Sequence, residues 1–123
     1  MPNSDFERFR ASMDIGYMEW HDGIPYDLDA LARLSGTERD EAERLILMRG
    51  LADWRDVDAL DVLGTRHALE QLMAALQATR LETRVRAAEH LHIRGSVDDD
   101  ELERIILTSL ESATILNTFQ HHA

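Results

Sequence analysis

The 123-residue sequence contains no cysteine and carries a formal net charge of −11, because 24 acidic residues stand against 13 basic ones, all of them arginine. This length suits one domain that buries its own core, and the lack of cysteine excludes disulfides and cysteine-based zinc sites. The acidic balance disfavours nucleic acid and anionic membranes as partners and favours a basic protein surface.

The sequence predicts neither export nor insertion into a membrane. Its first ten residues are polar and lack the pattern of a signal peptide. Its longest apolar run, Leu45–Met48, is far shorter than the about 20 residues that a membrane span requires. These features predict a cytoplasmic protein.

Apolar residues recur every three or four positions along the chain, which predicts an all-α fold. Ser4 and Glu7 form a capping box that begins a first helix over about residues 5–20, and a turn follows at 21–25. The apolar stripe of this helix comprises Phe6, Phe9, Met13, Tyr17 and Trp20. A short second helix follows the turn, and its apolar side comprises Leu28, Leu31 and Leu34.

Five further helices begin at residues that favour a helix N-terminus. These residues are Thr37, Asp53, Thr65, Glu82 and Asp98. The side chains expected to point inward from these helices include Met48, Trp54, Val57, Leu60, Leu63, Met73, Val85, Leu91 and Leu110. The last residues, 120–123, are expected to fray.

The sequence also repeats itself with a period near 30 residues. Gly64 and Gly95 lie 31 positions apart, and the same offset aligns Trp54 with Val85, Arg55 with Arg86, and Leu60 with Leu91. This similarity predicts three helix pairs, at 27–50, 53–79 and 82–116, behind an N-terminal capping helix and turn at 1–23. The predicted architecture is an alpha-solenoid fragment of about three helical hairpins in a single domain.

Two stretches of the repeat resemble HEAT repeats, most closely the short variety first noted in phycobilisome lyases. The stretches are 53–64 and 82–91, in which Arg55 and Arg86 match the arginine of the family pattern, and Asp53 matches the acid at the turn. The first helix pair lacks the Val-Arg element, and Asp56 replaces a small residue. The resemblance implies a helical-repeat fold and a binding scaffold, and it implies little about activity.

Three carboxylates on the predicted fourth helix are the first candidates for partner binding. Asp56, Asp58 and Asp61 have little basic sequence around them beyond Arg55. They form either a solvated helix face or an acidic contact patch for a basic partner. As a contact patch, reversing Asp58 and Asp61 to arginine should weaken binding and leave the melting curve nearly unchanged.

The other candidate binding residues are a run of aspartates and a group of aromatic residues. They are Asp98, Asp99, Asp100, Trp20, Tyr26 and Trp54. The aspartates are explained by the positive end of the last helix, and the alternative is contact with a cation or a basic partner. The aromatic residues belong to the core or, where they are partly exposed, anchor an interface.

No residue pattern predicts catalysis, a metal or a cofactor. His21 and Asp22 lie in the turn with a spacing that does not suit one helical face. His90 and His92 are two residues apart, so they point to different sides of their helix. The chain has no nucleophile elbow and no glycine-rich loop after a strand.

These observations predict a non-catalytic protein-binding module. Its small size and acidity suit an immunity-type inhibitor of a basic toxin or effector. Two alternatives stay open: a scaffold or adaptor in a larger complex, and a lyase-associated HEAT protein that holds a tetrapyrrole. The oligomeric state and the binding face do not follow from the sequence.

Overall fold

The computed structural model describes residues 4–14 and 23–122, and for 112–122 it describes the course of the helix without the side chains. In this part of the chain the structure is all-α, as predicted, with seven helices and no strand. The helices are α1 (Asp5–Met13), α2 (Leu28–Ala32), α3 (Gly36–Met48), α4 (Trp54–Leu63), α5 (Arg66–Ala75), α6 (Leu81–Ile93) and α7 (Asp99–His122).

Side-chain caps set several of the helix boundaries that the sequence predicts. The hydroxyl of Ser4 accepts from the Glu7 N–H, and the hydroxyl of Thr65 accepts from the Ala68 N–H, both at 3.1 Å. Asp53 begins α4 in a capping box with Asp56, and Gly64 ends that helix with φ +61°. A positive φ at this position favours glycine, because a Cβ atom would be strained there.

Two predicted boundaries are wrong. Helix α1 ends at Met13 instead of near residue 20, and residues 15–22 lie outside the described part of the chain. Helix α3 begins at Gly36, with Ser35 as its N-cap, instead of after Thr37. The backbone of Ser35 is extended, as is usual for an N-cap residue. The helix therefore begins two residues earlier than the preference of threonine for N-cap positions predicts.

Helix α4 lies at the centre of the packing. It contacts α2, α3, α5 and α6, while α1 packs against α2 and α3, and α7 packs against α6. Helix α2 therefore packs against α4, and α4 packs in turn against α6. The largest apolar side chains of the core are Phe9, Tyr26, Leu31, Ile46, Val57, Leu60, Leu72, Leu91 and Val97.

The predicted inward register of α4 and α6 is confirmed at Leu60 and Leu91, which are both 1 % exposed. Three other predicted core residues are exposed instead: Met48, Met73 and Leu110. The apolar stripe of each of these helices is therefore wider than the surface that the neighbouring helices cover. No helix within the described residues is long and apolar enough to cross a membrane.

Replacing Leu60 or Leu91 by alanine is expected to lower the free energy of unfolding by about 2–5 kcal/mol, because each change leaves a cavity in the core. Urea unfolding followed by far-ultraviolet dichroism measures the loss. The matched control is Leu107→Ala on α7, where the leucine is half exposed. Losses at Leu60 and Leu91 no larger than at Leu107 would contradict the packing described above.

Candidate functional site

A groove with a volume of about 560 Å³ lies where the first turn of α4 meets α6 and α7. Its lining comprises Gly23, Trp54, Leu81, Glu82, Val85, Arg86, Glu89, Ile106, Ser109 and Leu110. Residues three, four or seven apart share one side of a helix, so α6 presents a single face to the groove from Glu82 to Glu89. Helix α7 does the same from Ile106 to Leu110.

Trp54 anchors one side of the groove and is half-buried. The guanidinium carbons of Arg55 and Arg86 each lie 4.6 Å from the centroid of its ring. At this distance a cation is attracted to the π-electrons of an indole, so the two arginines hold the ring in place. The sequence repeat aligns these two arginines, and in the structure both meet at the same tryptophan.

The rest of the groove is largely apolar, and its one hydroxyl is already satisfied. Val85, Ile106 and Leu110 line the groove, and Leu110 is 59 % exposed. Ser109 is buried and donates its hydroxyl hydrogen to the Ile105 carbonyl at 2.8 Å. This part of the lining therefore offers a surface for apolar contact.

The charge of the groove comes from Glu82 and Glu89. Both residues are exposed, and the charges of both carboxylates act on the guanidinium of Arg86, whose pKa they help to raise after the larger effect of its hydrogen bonds to Asp58. Arg86 lies between them on the same face, but its Nε and Nη2 atoms each donate to a carboxylate oxygen of Asp58 at 3.0 Å. Two glutamates and one arginine give the lining a net charge of −1, so the groove is weakly negative.

The predicted acidic patch on the fourth helix is wrong, because α4 is surrounded by other helices. Asp56 is fully buried, where it accepts hydrogen bonds from the Tyr26 hydroxyl at 2.9 Å and from Arg49 Nε at 2.7 Å. A buried carboxylate requires such partners: Arg49 balances its charge, and the Tyr26 hydroxyl satisfies it by hydrogen bonding. Asp56 is not available to a partner protein.

Asp58 and Asp61 are likewise paired internally, with three basic residues of α6 and its C-terminal end. His90 Nε2 lies 2.7 Å from Asp58, and His90 Nδ1 lies 3.1 Å from Asp61. Arg86 binds Asp58, and Arg94 Nε donates to Asp61 at 2.7 Å. These five residues join α4 to α6, and we call them the α4–α6 clamp.

The geometry of the clamp favours a protonated histidine, since both ring nitrogens face carboxylates. The hydrogen bond to Asp58, together with the charge of Asp61, raises the pKa of His90 above its usual value in spite of burial. Burial acts to raise the pKa of Asp58, but hydrogen bonds from His90 and Arg86 outweigh it and hold that pKa below its usual range.

Because the pKa of His90 is higher in the folded protein, the clamp is expected to lose strength as the pH rises. Its contribution is fully present below the pKa of an unfolded histidine, about 6.5, and is lost as the pH passes through the folded-state pKa. Urea unfolding from mildly acidic to mildly alkaline pH measures this loss. His90→Gln removes the titrating group, so an identical pH dependence in both proteins would contradict the prediction.

The remaining predicted site residues lie in different parts of the structure. Tyr26 is buried in the core, Trp54 lines the groove, and Trp20 lies outside the described residues. The predicted aspartates Asp98, Asp99 and Asp100 are exposed at the start of α7. The first of them accepts from the Glu101 N–H at 2.8 Å, and the second lies 2.5 Å from His92. All three aspartates thus lie at the start of the last helix, as expected, and none of them lines the groove.

Within the described residues, no group of three or more acidic or histidine side chains is placed to hold a metal ion. His21 and Asp22 lie outside those residues. The histidines interpreted as surface residues have separate partners, since His90 contacts α4 and His92 contacts Asp99. The sequence contains one signal from which the clamp could have been predicted. Asp58 and Asp61 lie three residues apart, and about one repeat later Arg86, His90 and Arg94 follow at intervals of four residues.

Comparison with protein-family models, with curated proteins and with solved structures finds no match to this chain. The support for a function therefore comes from the chain's own geometry and charge.

Proposed function

We propose that this chain is a non-catalytic, HEAT-type helical-repeat module that binds a basic protein, and that the groove between α6 and α7 is its binding site. The observation that carries the proposal is an apolar groove whose rim bears two exposed carboxylates. Such a surface combines hydrophobic contact with electrostatic selection of a basic partner. An immunity-type inhibitor of a basic toxin is the most specific form of this proposal.

The distribution of charge supports a basic partner even after the internal ion pairs are removed. The carboxylates of the clamp, of Asp53 and of Asp56 form ion pairs with arginines of this chain. Exposed carboxylates outside these pairs include Glu38, Asp40, Glu82, Glu89, Asp100 and Glu103. A small domain needs a net charge magnitude of only about 2–8 for solubility, so −11 leaves an excess that a basic partner explains.

A scaffold or adaptor role uses the same groove and differs only in the partner. The tetrapyrrole alternative has less support, because such a ligand carries carboxylate groups itself. Glu82 and Glu89 at the rim would repel such groups.

The test is affinity capture from extracts of the source cells with three versions of the immobilised chain. The native chain is expected to retain a basic protein, and Glu82→Gln with Glu89→Gln is expected to lose most of it. The control, Glu38→Gln with Asp40→Asn, removes the same charge from α3 and should retain the protein. Raising the salt should slow association, since charges are screened over about 10 Å at 0.1 M.

The identity of the captured protein decides between the alternatives. A basic protein that is toxic without this chain supports the inhibitor form, and a non-toxic subunit of a larger complex supports the scaffold form. An acidic protein, or equal capture by all three versions, would overturn binding through the groove.

A further inference from the structure

The residues that line the groove indicate which kind of partner segment it binds. We propose that it binds an amphipathic α-helix of the partner that carries two basic residues two turns apart. This inference rests on the proposed function and specifies the element that enters the groove. It is carried by the apolar lining, the position of the two glutamates and the direction of α6.

The apolar lining lies between two helices and runs along them. Val85 lies on α6, Ile106 and Leu110 lie on α7, and Trp54 closes one side. Leu110 is 59 % exposed, although leucine is stabilised by burial. A cleft between two helices accepts the apolar face of a third helix, which is a common mode of peptide recognition.

The two glutamates lie at the ends of the α6 face that lines this cleft. Glu82 is in the first turn of α6, and Glu89 lies seven residues later on the same face. Arg86 stands between them and would form pairs with both by helix spacing alone. In the structure the guanidinium is hydrogen-bonded to Asp58 of α4 and interacts with the two glutamates only through charge, so their carboxylates keep room for direct contacts with a ligand.

The separation of the glutamates favours a helical ligand over an extended one. Seven residues of helix α6 span about 10.5 Å along its axis, and seven residues of a bound helix span the same distance. Side chains on one face of an extended strand recur at about 6.6 Å and then at about 13 Å. A bound helix therefore matches the spacing of the two glutamates more closely than an extended strand does.

The apolar contact is tested through two leucines on α7 that differ in position but resemble each other in exposure. Leu110 lines the groove and is 59 % exposed, whereas Leu107 is 50 % exposed and does not line it. Both can therefore be replaced by glutamine with little effect on the core. Leu110→Gln should weaken binding of a helical ligand, and Leu107→Gln should leave it unchanged.

The probe is a synthetic alanine-rich helical peptide with leucines on one face and two arginines two turns apart. Its controls are the same peptide with glutamates in place of the arginines, and a version with the arginines three residues apart. The peptide is titrated into isotopically labelled protein, and amide shifts are followed by nuclear magnetic resonance. Saturable shifts are expected for residues 81–89 and 106–110 and for the Trp54 indole.

The dissociation constant for the peptide is expected to rise about five- to tenfold in Glu82→Gln with Glu89→Gln, since each exposed ion pair contributes modestly. It should stay unchanged in the control Glu38→Gln with Asp40→Asn. Shifts spread over the surface, no saturable binding, or equal affinity for the glutamate peptide would overturn this inference. The proposed function would then still stand if the native chain and the Glu38→Gln, Asp40→Asn control capture a basic protein that the Glu82→Gln, Glu89→Gln variant loses, so the two failures are distinguishable.

Discussion

Replacing Asp56 by alanine is expected to lower the free energy of unfolding by more than the about 1.5–3 kcal/mol of a single hydrogen bond to a charged group, because it removes a fully buried carboxylate that accepts three such bonds. The carboxylate is fully buried and holds Arg49 at 2.7 Å, the Tyr26 hydroxyl at 2.9 Å and the Asp53 N–H at 3.2 Å. Without it, two polar groups inside the protein and the first turn of α4 lose their acceptor.

Urea unfolding followed by dichroism measures this loss, and two variants with smaller expected losses serve as references. Tyr26→Phe removes one hydrogen bond to a charged group and is expected to cost about 1.5–3 kcal/mol. Asp40→Ala removes an exposed carboxylate on α3 and should change stability by less than about 0.5 kcal/mol. If Asp56→Ala behaved like Asp40→Ala, the buried position of Asp56 would be wrong.

Replacing Asp58 by arginine is expected to destabilise the protein by on the order of 3 kcal/mol, since the position of Asp58 is nearly buried while its partner Arg86 is partly exposed. The change removes the partner of Arg86 and His90 and places a third cation beside them, on a side chain position that is 10 % exposed. This result is the opposite of the unchanged melting curve that follows from an exposed acidic patch.

The control for this charge reversal is Asp40→Arg, which alters the net charge by the same amount at an exposed position. Thermal unfolding of both variants is compared at one pH, with the His90→Gln protein as a reference for partial loss of the clamp. Equal melting temperatures for Asp58→Arg and Asp40→Arg would restore the surface interpretation and contradict the clamp.

The sequence predicts the helices and much of the core because those features are local. Capping residues such as Asp53 and Thr65 mark helix starts by hydrogen bonds that span only three residues. Apolar periodicity places Leu60 and Leu91 inside correctly. The same periodicity places Leu110 inside, which is wrong, since periodicity does not reveal which part of a stripe finds a neighbouring helix.

The candidate site depends on contacts between distant parts of the chain. The three aspartates of α4 look like a polar face in sequence, and only the packing of helices around α4 makes them internal. Helix spacing alone predicts that Glu82 and Glu89 pair with Arg86. In the structure Arg86 donates hydrogen bonds to Asp58 instead, which lies 28 residues earlier in the chain. A single sequence contains the charges but does not show which of them pair across the fold.

The most direct measurement of the central claim is photo-crosslinking in the source cells, with a benzophenone amino acid at position 110 or at position 107. Leu110 lines the groove and Leu107 does not, although both lie on α7 with similar exposure. Position 110 is predicted to crosslink to one basic protein, with the crosslinked residues of the partner on a helix with basic residues two turns apart, and position 107 to give little product. Equal crosslinking from both positions, or an acidic partner at position 110, would contradict recognition of a basic protein by the groove.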